Sequence, residues 1–477
     1  MIVDDQPVKS PASDSTPLLG DPSGQQADTE LPQYTVHPAP IRSQRTKRSL
    51  SANRWVIIAV ITLILGIVIS AELYLNVISR VPRNYEYSFP TDVDLDRCVT
   101  AWPRKKKKND GVAFYPYSVS TSFELPLPSK TLLLLSNGAL SNGRLKITES
   151  SEITDVQVNV TVKYFSTAVR DSAKVCVIER YKGESGVGIF TPSNWRNVFL
   201  STDRIFFEVE LTLPRTGSAR YVPGFTTDVD NFSHDVDSLS AHFGDISLTG
   251  TNGKIQAKLL SARTATLTSS NAGVIVDSLE AQIATVRTSN GRISGSYTVS
   301  DSLHLENSDG PINVAVAVNS TDAKKPKHIV MDTSNGALHC VVNLLVPVLG
   351  QAGTFHIRAH TLNAPLQAEI ASAPLDSVLT VDAKTSNRVA SVALPSTYEG
   401  SFEVVTSNAP ATFERVYSGE RDPACERDEK CSGRSRLVRA TAAKRSSVAG
   451  TAYWDQKNAD RGKVSLTSSN GPATLYL

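Results

Sequence analysis

The chain has 477 residues, 40% of them apolar, with five cysteines and a formal net charge of +2. That length and apolar fraction support a large buried core, and the near-neutral balance excludes the basic surface that nucleic acid requires, so no nucleic-acid partner is expected. An odd cysteine count excludes complete pairing within one chain.

Residues 1–54 are rich in Pro, Ser, Gln and Asp and poor in aromatics. Such a composition buries too little apolar surface to fold, so a disordered cytosolic tail is expected. Within it, Asp14-Ser15-Thr16-Pro17-Leu18-Leu19 matches an acidic dileucine sorting motif, and Leu31-Pro32-Gln33-Tyr34 resembles the Pro-Tyr motifs that WW domains bind. Asp14, Leu18 and Leu19 therefore read as a signal for endosomal or vacuolar membranes.

Residues 55–78 come next as a transmembrane helix. Trp55 to Ala71 contain no charge, and only Glu72 interrupts the apolar run to Ile78, which is long enough to cross a bilayer. More than fifty polar residues precede it and no small-x-small site comes after it, which argues against a cleaved signal peptide. Arg42, Arg45, Lys47, Arg48 and Arg54 stand before the span, whereas Arg80 and Arg83 beyond it are offset by Glu72 and Glu86. The positive-inside bias leaves the N-terminus in the cytosol and the rest of the chain lumenal or extracellular. Three glycosylation sequons agree with that orientation, since Asn159, Asn231 and Asn319 all lie after the span. The bilayer is thus one expected partner, at the plasma membrane or an endosomal or vacuolar membrane.

Residues 79–117 form a juxtamembrane linker, in which Arg104 and Lys105 to Lys108 read as a solvated, self-repelling spacer. From 118 to 215 come alternating runs such as Val156–Tyr164 and Arg204–Leu213, strands without a fixed period. They are expected to cap the open end of the repeat region that begins at 221, or to form its first, wider coils.

In residues 221–416 a corner motif recurs. Thr251-Asn252-Gly253, Ser270-Asn271-Ala272, Ser289-Asn290-Gly291 and Ser308-Asp309-Gly310 are spaced nineteen residues apart, and the pattern continues at Asn335, Asn363, Asn387, Asn408 and Asn470 at longer intervals. Aligning on the Asn gives one apolar column four residues before it (Leu248, Leu267, Val286, Leu305, Met331, Val404, Leu466) and another three after it, which begins Ile255, Val274, Ile293. Ile246, Ala265 and Ala284 complete the period-two alternation of a strand with one buried face. The fold is therefore expected to be an all-β solenoid of stacked coils. Gly and Asn are expected at the corners for a positive φ, and the Asn amides are expected to stack as a ladder. A leucine-rich repeat would need a longer period and room for a return segment.

Residues 417–463 break the repeat with a charged, Arg-, Ala- and Ser-rich insertion, read as a mostly mobile loop tied by a Cys425–Cys431 disulfide, before a last coil at 464–477. The lack of a second Cys or His pair speaks against zinc there. Pairing among Cys98, Cys176 and Cys340 is left open by the sequence.

The corners, with Thr406-Ser407-Asn408-Ala409-Pro410-Ala411-Thr412-Phe413 and Ser468-Ser469-Asn470-Gly471-Pro472-Ala473-Thr474-Leu475, resemble the putative-adhesin β-solenoid domain family of bacteria and fungi. The layout is similar to its fungal single-pass membrane members of unknown function, over about Ser118 to the C-terminus. The resemblance implies surface interaction and transfers no catalytic residue.

Few residues along the coils carry chemistry. Asp228, Asp230, Asp235 and Asp237 surround Asn231 and His234 as a Ca²⁺ candidate, but the run lacks the Gly and terminal Glu of an EF-hand loop, so a polar outer face is the better reading. His242, His304, His339, His356 and His360 fall on different coils and are not expected to share a column, which removes a His-based metal site or triad. No nucleophile elbow, phosphate loop or dinucleotide fingerprint occurs. No catalytic residue, metal site or cofactor is expected. The reading is a non-enzymatic single-pass membrane protein that displays a glycosylated β-solenoid for adhesion, scaffolding or cell-wall contact, with wall glycans or another protein surface as partner. The alternative is a membrane-tethered glycan-active lyase or hydrolase built on a β-helix.

Overall fold

The computed structural model describes residues 56–70, 85–99, 101–102, 107–108, 114–195, 203–215, 217, 220–320, 325–346, 352–416, 421–426 and 434–477. The chain divides into a unit of residues 1–82 and a unit of residues 83–477. In the first, residues 56–70 are helical and exposed along their length. Among the described residues no helix is long and apolar enough to cross a membrane. Residue 55 and residues 71–78 of the expected span lie outside the described residues, as do Asp14, Leu18, Leu19 and the whole tail.

The second unit is a stack of β-coils. In each coil a strand runs into the Asn corner on a first face and leaves it on a second face, and each strand pairs in parallel with its equivalent in the neighbouring coils. Val, Ile, Leu and Thr dominate these strands, and inward and outward positions alternate, as in Ile255–Ser269. Leu248, Leu267, Val286, Leu305 and Met331 are in register, and all are fully buried. The column continues through Ala359 and Ala383 to Leu466 and Val404. On the second face Ile255, Val274, Ile293, Ile312, Leu338 and Leu366 do the same.

The corners are cross-linked by side chains. Each Asn donates its Nδ2 hydrogen to Oδ1 of the Asn one coil below, at 2.6–2.7 Å, in the spatial order 231, 252, 271, 290 and then 335, 363, 387, 470, 408. Asp309 has no N–H to give to Asn290, so the donor chain restarts where Asn335 donates to Asp309. A second, buried column stands two residues before the Asn. The hydroxyls of Ser269, Thr288, Thr333, Thr361, Thr385 and Ser468 each donate to a corner carbonyl of the neighbouring coil at 3.0–3.2 Å.

The corner glycines depart from expectation. Positive φ among the described glycines occurs at Gly138, Gly183, Gly295 and Gly400, and none of these is a corner of the Asn ladder. What the corners require is close approach: a Cβ on Gly336 would lie 1.8 Å from the Gly310 carbonyl oxygen, and one on Gly253 would lie 1.7 Å from that of Phe232.

Both ends are stacked out of chain order. The coil of Thr131–Asn137 and Gly143–Ser150 lies between the later coil of Glu184–Phe190 and Ile205–Pro214 and the first regular one. Residues 118–215 are therefore coils and cap together, because Val156–Tyr164, Tyr117–Leu125 and Lys174–Glu179 add antiparallel strands outside them. At the other end, Gly462–Ser468 inserts between Val378–Thr385 and Gly400–Thr406, and Ala473–Tyr476 between Ala390–Ala393 and Ala411–Glu414. The 417–463 insertion is also more ordered than the loop expected. Leu437–Lys444 and Ser447–Tyr453 form an antiparallel hairpin on the edge of Gly400–Thr406, supplying the partner that an open edge lacks. Glu399 then anchors the return crossing by accepting from the backbone N–H groups of Trp454 and Asp455 and from Asn458 Nδ2.

Part of the expected linker belongs to this unit. Asp94–Val99 pairs with Lys174–Glu179, and Cys98 bonds Cys176 across that pair. Cys340 is free and buried, Cys425 is disulfide-bonded, and Cys431 lies outside the described residues.

The stack's dependence on its core can be separated from its dependence on its corners. In urea unfolding at pH 7, Leu267→Ala is expected to cost about 2–5 kcal/mol, and Asn271→Ala about 1 kcal/mol for two exposed amide bonds. An Asn271→Ala loss equal to that of Leu267→Ala would contradict this ranking.

Candidate interaction surfaces

Three outward columns on the first face bring histidines, carboxylates and basic side chains together in the middle coils. His328 and His356 are in register, and so are Arg358 and Asp382 one column over, and Glu306, Asp332, His360 and Lys384 in the next. His242, His304, His339, His356 and His360 fall in separate columns, and His356 instead shares one with His328: these two rings stack with centroids 5.1 Å apart. Each stands seven residues before its corner Asn, so the signal was present in the sequence. Loop insertions between coils obscured it.

Ion pairs and histidine contacts link the strip from coil to coil. Arg287 meets Glu306 at 3.0 Å, Arg358 meets Asp332 at 3.3 Å, and His360 lies 2.9 Å from Asp382 and 3.9 Å from Asp332. These exposed pairs add little to stability, about 0–1 kcal/mol each. Desolvation first, and the neighbouring His328 second, hold the His356 pKa below the ordinary histidine value. Among the described residues no group of His, Cys, Asp or Glu is arranged to hold a metal ion.

A second surface lies where the long strands bend from the second face back to the first. In the inward column there, Ala262 and Ala281 occupy the places that Phe243 and Val299 fill in the flanking coils. Ala262, Ala281 and Val299 line an open groove of about 390 Å³ across those coils. Tyr221 and His242 stand at one end, their rings 6.3 Å apart, and Asn319 also lines the groove.

The sequons differ in their surroundings. Asn159 is half-buried in mid-strand between Ser122 and Glu210. Asn231 begins the Asn ladder, accepting from Asn252 and donating to the Ser141 carbonyl at 3.2 Å, so a glycan on its Nδ2 would compete with a structural bond. Asn319 ends its strand and is exposed. The aspartates considered for Ca²⁺ are drawn to separate partners: Asp235 to Arg144, Asp237 to Lys258 at 2.9 Å, and Asp230 to the Thr251 hydroxyl at 2.7 Å. Burial first, and Asp230 second, raise the Asp228 pKa.

Residues 282–421 match the family model of a domain of unknown function, DUF7330. Among curated proteins none matches the chain. Two solved structures are similar to it. One is described as a putative cell adhesion protein from Clostridium sporogenes, at 9% identity and a TM-score of 0.15, covering 75% of this chain and 99% of that one. The other is described as a putative adhesin from Bacteroides fragilis, at 10% identity and a TM-score of 0.24, covering 75% of this chain and 96% of that one.

Two titrations are set by these environments. His234 is buried, with Nε2 2.8 Å from the Thr227 hydroxyl, and burial pushes its pKa down to about 4. Its folded pKa is below the unfolded value near 6.5, so the neutral-ring stability is complete above about pH 6.5 and is lost as pH falls toward 4. Urea unfolding at pH 7 and pH 4.5 is expected to differ by about 2–3 kcal/mol from this group, and His234→Asn should remove that component. For the strip, NMR titration should place His356 below the free-histidine value, and His328→Gln should raise it part of the way back.

Proposed function

We propose that the chain is a non-enzymatic adhesion or scaffold protein, tethered by the 55–78 segment with its N-terminus in the cytosol and its 83–477 unit displayed outside. The observation that carries this reading is the double cross-linking of the corners by amides and hydroxyls. Such a stack keeps outward side chains in columns about 4.8 Å apart, a rigid surface on which weak contacts add over many coils. The Cys98–Cys176 disulfide and the distribution of sequons support an oxidising, glycosylating compartment for that unit. Plasma membrane and endosomal or vacuolar membrane both satisfy these features. Cell-wall glycans or another protein surface are the partner classes.

One observation favours a second reading, a glycan-active enzyme. Asp332 and Asp382 flank His360 on adjacent coils, the kind of convergence that acid–base chemistry uses. Against it, Asp332 is engaged by Arg358 at 3.3 Å, as Glu306 is by Arg287.

Expression of the full chain with a C-terminal epitope in cultured eukaryotic cells tests both. The epitope is expected to be digested by protease outside intact cells or inside opened vesicles, and cells that display it should adhere more strongly to wall material than vector controls. An epitope facing the cytosol would contradict the tether. Release of reducing ends from wall polysaccharide, abolished by Asp332→Asn with Asp382→Asn, would transfer the assignment to the enzyme.

A further inference from the structure

The bend-edge groove has an architecture that nothing in the adhesion reading explains by itself. Its floor is lined by Ala262, Ala281 and Val299, which are in register on neighbouring coils. Just outside this floor runs an outward column in register across the coils: Tyr221, His242, Ser261, Glu280 and Thr298. Five strands in register span about 19 Å at the usual strand spacing. The groove therefore lies along the stack axis, a shape for a linear chain.

Its chemistry is specific. Tyr221 is 60% exposed although it is a large aromatic. A Cβ on Gly244 would fall 2.6 Å from the Tyr221 hydroxyl, so the absent side chain lets the phenol lie down across the next coil. The ring thus offers an open face at the end of the groove. Beyond it the rim is mostly neutral and hydrogen-bonding, with Ser261, Gln282, Thr298 and Ser300. Of the two charges, Arg263 is already held by Asp245 at 2.7 Å, which leaves Glu280. A flat aromatic platform followed by neutral donors and acceptors, without a cationic cluster, fits a ligand with apolar C–H faces and many hydroxyls. It does not fit a phosphate or an acidic peptide.

We propose that this groove binds a linear, uncharged saccharide chain laid along the stack axis, stacked on Tyr221 and supplied as a separate polymer. The inference deepens the adhesion reading and rests on it for the chain meeting such polymers at all. Asn319 lines the same groove, so a glycan carried there is the rival source of the same chemistry.

Solution binding tests the groove apart from cell adhesion. Full-length chain, made in detergent from bacterial cells with an oxidising cytosol so that Asn319 carries no glycan, is titrated calorimetrically and by saturation-transfer NMR. The probes are hexasaccharides of β-1,4-glucose, β-1,3-glucose, β-1,4-N-acetylglucosamine and α-1,6-mannose. At least one is expected to bind; Tyr221→Ala should weaken it tenfold or more, Tyr221→Trp should retain it, and Gln282→Trp should block it. Circular dichroism and urea midpoints confirm that each variant folds. No binding of any probe at millimolar concentration, or binding indifferent to both Tyr221→Ala and Gln282→Trp, overturns the site. Suppose chain from a glycosylating host fails to bind and Asn319→Gln from that host restores binding. Then the protein's own glycan fills the groove, and the separate-polymer assignment is overturned. Cell adhesion that persists in Tyr221→Ala, with solution binding lost, would leave adhesion standing on another surface.

Discussion

Register between neighbouring coils is the constraint on which the rest of this structure depends. A parallel strand satisfies its backbone only if both neighbours present their amides at the same height, and a slip of one residue would turn every inward Leu, Ile and Val to solvent. Two side-chain columns at the corner oppose such a slip. The Asn amides bond coil to coil at the surface, and the Ser and Thr hydroxyls bond corner carbonyls beneath them. Because the buried hydroxyls satisfy carbonyls that would otherwise be enclosed without partners, they matter more than their exposed neighbours.

The same constraint explains the ends. A stack of parallel strands exposes unpaired backbone at its terminal faces, and each terminus of this unit answers by sending the chain outward, adding antiparallel strands, and placing one coil inside the last. The inserted coils are held on both sides. Val464, Leu466 and Leu475 are as buried as any residue in the central coils.

Much of this was legible in the sequence, and the reasons for the gaps are physical. Where coils keep the nineteen-residue spacing, the column of Leu248, Leu267 and Val286 declares itself. In the later coils Ala359 and Ala383 fill the same place, and small residues carry no apolar signal. The recurring Thr before Ser-Asn-Gly was visible as a pattern, but its hydroxyl's partner belongs to another coil and cannot be read locally. The corner glycines were recognised for the wrong reason: backbone conformation is a local property, whereas the clash that excludes a Cβ comes from the neighbouring coil. The return of residues 462–477 into the interior of the stack was hidden for the same cause, since stacking order is not chain order. The groove had no local signal, because its lining residues come from neighbouring coils and only stacking brings them together.

These features separate two kinds of evidence about purpose. The cross-linked corners account for a rigid body, while the His and carboxylate strip and the bend-edge groove are the places where that body departs from pure architecture. Stack order itself is the premise of both. It is tested most directly by paired cysteines at the corner positions of the last coils, with oxidised products mapped by mass spectrometry. Neighbouring coils bring the Cα atoms within disulfide reach, and coils two apart do not. Asn387→Cys with Asn470→Cys should cross-link readily, and Asn387→Cys with Asn408→Cys should not. The opposite result, a 387–408 bond without a 387–470 bond, would mean that the coils stack in chain order and would contradict the account.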